Sequence, residues 1–290
     1  MTIYGCTILY NRLDLLEIWL NELKNSVDKF IILEGNKTHT GGKRDLIFNP
    51  DMFKDFDITY VPVTDIPEYS NEEFDRIEKY LNNYLLNSLK DCNNNDIILF
   101  THGDEIPRRS SVIEGIFHLN MELKKNPYTE MIVRLRLMQQ RYWLNCFLLQ
   151  QKNFSDGGPF ITTYRVVKEV GVWRIKHIYK GSPEGIMEMA GWHYSWLGPK
   201  EYVLDKLYVN VDQNYNKPEM FNYDYIQNVL DTGGDILQES RLLPGHKWIG
   251  TGFFNPNNKI VSNYLLPKYV LDNYNKFKHL IKIKENYEIG

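Results

Sequence analysis

The stretch "DIILFTHGDEIPRR" (96–109) decides the fold class. Its apolar run 97–100 is typical of a buried strand, because the central strands of a parallel sheet are covered on both faces. The run ends in an imidazole, a glycine and two carboxylates: His102, Gly103, Asp104 and Glu105. Ligands collect at the carboxyl ends of such strands, so the sequence predicts a functional site here.

Strand and helix patterns alternate on both sides of this stretch. Apolar runs predict strands over 3–10, 29–34, 57–63 and 130–137. An apolar stripe predicts a helix over 13–24, and Ser-x-x-Glu capping patterns predict helices that begin near Ser70 and Ser111. Further helices are expected in the last third of the chain. This order predicts an α/β fold with a mainly parallel central sheet flanked by helices.

Acidic residues follow several of the predicted strands. Glu34 closes the second strand and Asp65 follows the third, as Asp104 and Glu105 follow the fourth. Parallel strands end at the same edge of a sheet, so we expect these acids to line one pocket. Oxygen ligands of this kind can hold a divalent cation beside a diphosphate.

Composition and charge limit the classes of function that the sequence allows. The net charge of -3 argues against bulk attraction to nucleic acid, and no apolar run is long enough to predict a membrane span. Cys6, Cys92 and Cys146 form no Cys-x-x-Cys pair, which favours a reducing compartment. The first residues lack the pattern of a secretory signal. We therefore expect a cytoplasmic protein of bacterial or viral origin.

Several motifs in order resemble glycosyltransferase family 17, the family of the bisecting β-1,4-N-acetylglucosaminyltransferases. The segment "NRLDLLEIWLNELKNSVDKFIILEGNKTHTG" (11–41) resembles the opening of the family, and 96–108 resembles its Asp-x-Asp-Glu-Ile-Pro segment. "AGWHYSW" (190–196) resembles its Gly-Trp-His segment. "KLYVNVDQNYN" (206–216) and "IQNVLDTGGDIL" (226–237) follow in the family's order.

The resemblance implies a GT-A-type nucleotide-sugar-binding fold with C-terminal helices. We expect a transferase domain over 1–255 and a helical extension over 256–290, packed on the same domain. The implied reaction moves N-acetylglucosamine or a related hexose, with inversion, from a nucleotide donor such as a UDP-sugar to a glycan hydroxyl. The expected partners are the donor and the glycan acceptor, and the expected cofactor is Mn²⁺ or Mg²⁺.

Site roles follow from the matched motifs and the strand ends. The candidate metal ligands are His102, Asp104 and His193. The candidate general bases are Glu105, Asp156 and Glu184. The candidate donor-binding residues are Glu34, Asp65, Arg141, Trp192 and Lys206.

The sequence also departs from the family pattern. His102 stands where the family has the first Asp of Asp-x-Asp, and Gly103 replaces an aliphatic residue. Leu81, Asn82 and Asn83 stand where the family has Gln-Arg-Asn, so an expected arginine is replaced by asparagine. A histidine adds no negative charge and holds a hard cation less well than a carboxylate does.

Two alternatives belong to other classes of protein. The first is a catalytically silent protein that binds glycans or nucleotide-sugars and has lost the first metal acid, since a fold does not determine a function. The second is a hydrolase with two carboxylates that face each other across a sugar.

Overall fold

The computed structural model describes residues 1–146, 158–210, 213, 216–232, 236 and 265–282. The chain divides into two compact units, and each is described by itself. Unit 1 comprises Met1–Leu137 and Phe154–Gly191, and unit 2 comprises Met138–Asn153 and Trp192–Gly290. The predicted domain boundary between 255 and 256 lies outside the described residues and stays a prediction.

Unit 1 is a mixed α/β structure around a seven-stranded sheet. Its strands are β1 (Ile3–Leu9), β2 (Lys29–Gly35), β3 (Ile58–Val63), β4 (Ile97–His102), β6 (Ile132–Leu135), β8 (Phe160–Thr163) and β9 (Glu184–Met187). A short strand β5 (Glu105–Pro107) follows β4. The sheet order is β3-β2-β1-β4-β8-β6-β9. The predicted, mainly parallel sheet is confirmed, because only β8 runs against its neighbours β4 and β6.

Five helices belong to unit 1. They are α1 (Leu13–Leu23), α2 (Arg76–Ser88), α3 (Arg109–Lys125), α4 (Tyr164–Val170) and α5 (Val172–His177), with a short 3-10 helix at Pro50–Phe53. Helix α1 forms as predicted, with Leu16, Trp19, Leu20 and Leu23 buried on one stripe. Burial of such a stripe stabilises a helix more than its local propensity does.

The capping patterns misplaced two helix starts. Helix α2 begins at Arg76 and not near Ser70, although the Ser70 hydroxyl accepts a hydrogen bond from the Glu72 N–H (3.2 Å). That bond belongs to a local turn, which serine also favours outside helices. Helix α3 begins at Arg109, which places Ser111 inside the helix.

Unit 2 contains two strands and four short helices among its described residues. Strands β7 (Met138–Arg141) and β10 (Gly191–Ser195) pair in parallel, and Gly191 is the last residue of unit 1. The helices are α6 (Lys200–Val209), α7 (Tyr223–Thr232), α8 (Lys268–Asp272) and α9 (Tyr274–Phe277), with 3-10 turns at Pro218–Met220 and Lys278–Leu280. The backbone of Lys282 exchanges two hydrogen bonds with the Asn145 side chain, which anchors the end of the described chain to this unit.

Strand β4 lies at the centre of the unit 1 sheet. Its residues from Ile97 to Thr101 are completely buried. The strand pairs in parallel with β1, so that Ile8 lies opposite His102. Directly after it, Gly103 passes the end of β1, where an added Cβ atom would lie 2.6 Å from the Ile8 carbonyl oxygen. Only glycine fits this close approach without a backbone shift.

We predict that Gly103→Ala destabilises the protein by about 1–3 kcal/mol, because the new methyl group meets a strand carbonyl that cannot rotate away. The measurement is the free energy of unfolding in urea. Gly42→Ala is the comparison variant, because its Cβ atom would meet only side-chain atoms of Thr38, Oγ1 at 3.1 Å and Cγ2 at 3.7 Å, and no backbone atom. Equal losses in the two variants would contradict the account.

Candidate active site

The carboxyl ends of four parallel strands meet at one edge of the unit 1 sheet. In the strand register, Glu34 on β2 lies beside Leu9 on β1, and Ile8 lies beside His102 on β4. Glu34 and His102 are therefore two strand spacings apart, about 10 Å along the sheet edge. The structure thus brings Glu34 on β2 and the acids that directly follow β4 to the same edge of the sheet.

The turn "HGDE" (102–105) is closed by the Glu105 carboxylate. Its Oε2 atom accepts a hydrogen bond from the His102 backbone N–H at 2.7 Å. Lys176 Nζ on α5 lies 2.8 Å from both carboxylate oxygens of Glu105. The two side chains are almost fully buried, with 3% and 6% exposure. Glu105, a predicted general base, is thus held by a buried lysine beneath the turn.

The His102 ring contacts helix α2. Its Nε2–H donates to Asn82 Oδ1 at 3.0 Å, and Glu78 Oε1 lies 3.7 Å from the same nitrogen. Burial lowers the pKa of His102 to about 4, and the positive charge of Lys176 adds to this effect against the opposing pull of Glu105 and Glu78. At neutral pH the ring is therefore uncharged.

Glu78 is the centre of a group of histidines. His177 Nε2 on α5 lies 3.3 Å from Glu78 Oε1, on the same oxygen that faces His102. Burial alone would raise the pKa of Glu78. The His177 hydrogen bond and the electrostatic influence of the nearby His102, His39 and His177 side chains outweigh it and lower that pKa to about 2. Glu78 is therefore an anion at any physiological pH.

Glu34 orders the loop that follows β2. It is completely buried. Its carboxylate accepts four hydrogen bonds, from Arg44 Nη2 (3.0 Å), Ile47 N (2.8 Å), Phe48 N (3.0 Å) and the Tyr60 hydroxyl (2.9 Å). Burial and the bond to Glu34 raise the pKa of Tyr60. A carboxylate with four protein donors has little capacity left for a ligand, so the described contacts of Glu34 hold the loop 36–48 and Tyr60 in place.

Asp65 follows the end of β3 and is exposed. It interacts with Tyr80 on α2, where burial and the hydrogen bond to Asp65 raise the pKa of the tyrosine hydroxyl. Asp65 is therefore an exposed acid just beyond the carboxyl end of β3.

The described part of the chain holds no ready-made metal cluster, because no three His, Cys, Asp or Glu side chains there lie close enough to hold a metal ion. His102 directs Nε2 at Asn82, and both oxygens of Glu105 face Lys176. A cation that arrives with a diphosphate would need only one or two protein oxygens, and the roles of His102, Asp104 and His193 as metal ligands stay predictions.

Glu184, a second predicted base, lies elsewhere in unit 1. It is the first residue of β9, opposite Ile132, and its carboxylate lies 3.5 Å from Arg134 Nε. Counted through the strand register, it is three strands and four residue levels from His102, about 20 Å away. The structure does not bring Glu184 to the "HGDE" turn. Asp156, the third predicted base, lies outside the described residues.

The sequence profile of glycosyltransferase family 17 matches residues 1–284. The chain belongs to glycosyltransferase family 17. The resemblance drawn from the sequence motifs is therefore confirmed, as is the prediction of a transferase enzyme.

Similar proteins are known in mammals. The chain is 25% identical to a rat β-1,4-mannosyl-glycoprotein 4-β-N-acetylglucosaminyltransferase and 26% identical to the human protein of that name. The alignments cover 94% and 93% of this chain but 53% of each relative. The chain thus spans about half the length of the relatives it matches.

These relatives overturn one prediction. They are animal enzymes named for glycoproteins, and they point to the secretory pathway, so the expected cytoplasmic location is wrong. The prediction was based on the N-terminal sequence and the cysteine count, and neither feature indicates where related enzymes are located. In the part of the chain that the structure describes, no helix is long and apolar enough to cross a membrane.

Four predicted residues of this family 17 chain lie in unit 2. His193 on β10 lies opposite Gln139 and is half-buried, and Arg141 ends β7. Trp192 is 1% exposed, so it offers no open ring face to a sugar. Lys206 Nζ lies 5.3 Å from the centre of the Trp196 ring, a cation–π contact.

Sequence reasoning missed Lys176 and Glu78 in the surroundings of the turn, and it noted Asn82 only as a departure from the family pattern. Lys176 gave no signal, because a lysine in a short helix is normally solvated. Glu78 and Asn82 are one helical turn apart on α2, so their shared face could have been recognised from spacing. Asn82 also stands at the position where the family pattern has arginine, and it contacts His102, the other main departure.

We predict that the protein loses stability as the pH falls from about 6.5 to about 4. The folded pKa of His102 is about 4 against 6.5 for an ordinary histidine, so between these values the unfolded state binds a proton that the folded state does not. Above pH 6.5 this contribution is fully present. The slope is at most about 1.4 kcal/mol per pH unit.

Urea unfolding midpoints measured across this range test the prediction. His102→Asn should flatten the slope, whereas His118→Asn on the exposed face of α3 should leave it as in the wild type. An unchanged slope in His102→Asn would show that other groups set the acid sensitivity.

Proposed function

We propose that this family 17 chain transfers N-acetylglucosamine or a related hexose from a nucleoside-diphosphate donor to a hydroxyl group of a glycan. The observation that carries the proposal is the turn "HGDE" at the carboxyl edge of a mostly parallel sheet, in a chain of this family. Relatives named N-acetylglucosaminyltransferases support the choice of sugar. A GT-A-type fold and a UDP-sugar donor belong to the same proposal.

The proposed reaction is a direct displacement with inversion. The acceptor oxygen attacks the anomeric carbon and the bond from that carbon to the diphosphate breaks, while a carboxylate takes the acceptor proton. Asp156 is the proposed base. Of the other two candidates, Glu105 is bound to Lys176 and Glu184 lies on a distant strand. The nucleoside diphosphate leaves with the bonding electrons.

Asp104 is the proposed contact of the "HGDE" turn with the donor diphosphate. A divalent cation that enters with the donor, Mn²⁺ or Mg²⁺, would find its carboxylate ligand in Asp104 and would offset the charge of the leaving group. The neutral His102 ring next to it adds no charge of its own. The ordered loop 36–48 is proposed to border the nucleotide.

We predict that a screen of nucleotide-sugars finds at least one donor from which the wild type releases nucleotide, assayed with and without Mn²⁺. Asp104→Asn should reduce that turnover about 100-fold, because it removes a charge that acts on the reacting diphosphate. Asp55→Asn, an exposed position before β3, is the matched control and should keep wild-type turnover.

Calorimetric titration with UDP distinguishes an active transferase from a protein that only binds nucleotide-sugars. Binding of UDP without turnover on any donor would favour the catalytically silent binding protein. No binding of any nucleotide, with or without metal, would reject the transferase proposal.

A further inference from the structure

We propose that Lys176 and Glu105 are positioning residues that set the backbone of the "HGDE" turn and so place Asp104 against the donor diphosphate. This inference rests on the proposed function. It assigns neither residue a contact with the donor.

The first support is the connection itself. Glu105 Oε2 accepts hydrogen bonds both from Lys176 Nζ (2.8 Å) and from the His102 backbone N–H (2.7 Å). The bond from the His102 N–H to the Glu105 side chain links residues 102 and 105, and so closes a ring that contains Gly103 and Asp104. The geometry of the turn that presents Asp104 is therefore determined by where the Glu105 carboxylate sits.

The second support is the burial of the pair. Two charges with 3% and 6% exposure have lost their hydration, and an apolar pair of similar size is often as stable as such a buried ion pair. Stability alone is thus a weak reason for an ion pair here. The bond to the His102 N–H supplies a reason, because an apolar side chain at 105 could not accept it.

The third support is that Lys176 stands on a fixed element. Arg134 Nη2 on β6 donates to the carbonyl oxygens of Ile175 (2.5 Å) and Tyr179, on both sides of Lys176. The Trp173 N–H donates to Asn83 Oδ1 on α2 at 3.2 Å. Helix α5 is therefore tied to the sheet and to α2, and it can hold Glu105 at a constant position.

Two double variants test the proposal in the full chain. Both remove the ion pair, but Glu105→Gln with Lys176→Met keeps a side-chain oxygen for the His102 N–H, whereas Glu105→Leu with Lys176→Met does not. We expect both variants to fold, with kcat at least about 30-fold lower in the Leu variant than in the Gln variant, because a displaced turn misaligns the donor. KM for the acceptor should be the same in both.

Amide hydrogen exchange gives a readout that does not need turnover. The His102 amide should exchange at least about tenfold faster in the Leu variant than in the Gln variant. A wild type without turnover on any donor would count against the proposed function alone, while the exchange rates would still decide the positioning role.

Equal kcat values and equal exchange rates in the two folded variants would overturn the proposal. Loss of kcat in both, with the His102 amide protected in the Gln variant, would also overturn it and would make Glu105 the base. If either double variant does not fold, Glu105→Asp replaces the pair. It keeps the charge but is one methylene too short to reach both partners, and an unchanged kcat would then reject the positioning role.

Discussion

A buried carboxylate at the end of a β-strand must be surrounded by hydrogen-bond donors, and this constraint shapes the whole sheet edge. Glu34 draws in the loop 36–48 and Tyr60, and Glu105 draws in Lys176 and the His102 backbone. Glu34 thus ties a distant segment of chain to the end of β2, and Glu105 ties helix α5 to the turn after β4. Both acids organise the backbone around them, and Asp104 precedes Glu105 in that turn.

Strands β1, β2, β3, β4 and β6 and helices α1, α2 and α3 of unit 1 could be predicted, because the pattern of apolar residues along each segment reflects its burial. The short elements β5, β9, α4 and α5 were not predicted. The apolar run 97–100 became the completely buried β4, and the stripe on α1 became a core face. The antiparallel direction of β8 could not be foreseen, because it depends on pairing with β4 and β6, which are distant in sequence. The start of α2 was misplaced, because the Ser70 hydroxyl caps only a local turn that does not continue into the helix.

The position of the site on the sheet could be predicted better than the contacts between its side chains. Strand-end acids on β2 and β4 share an edge because parallel strands end together. The partners of those acids could not be inferred, because Lys176 is 71 residues from Glu105 along the chain and carries no motif. The departures from the family pattern have a structural meaning: Asn82 and His102 contact each other, so an uncharged amide–imidazole pair stands where the pattern has arginine and aspartate.

The central claim is that a nucleotide-sugar binds at the "HGDE" turn on the edge of the unit 1 sheet. Hydrogen–deuterium exchange with and without UDP-N-acetylglucosamine and Mn²⁺ tests it most directly, with peptides that cover 36–48 and 102–108. The account predicts that the donor slows exchange in both peptides and that Asp104→Asn abolishes the effect at 102–108. Protection confined to other parts of the chain, or protection unchanged in Asp104→Asn, would contradict it.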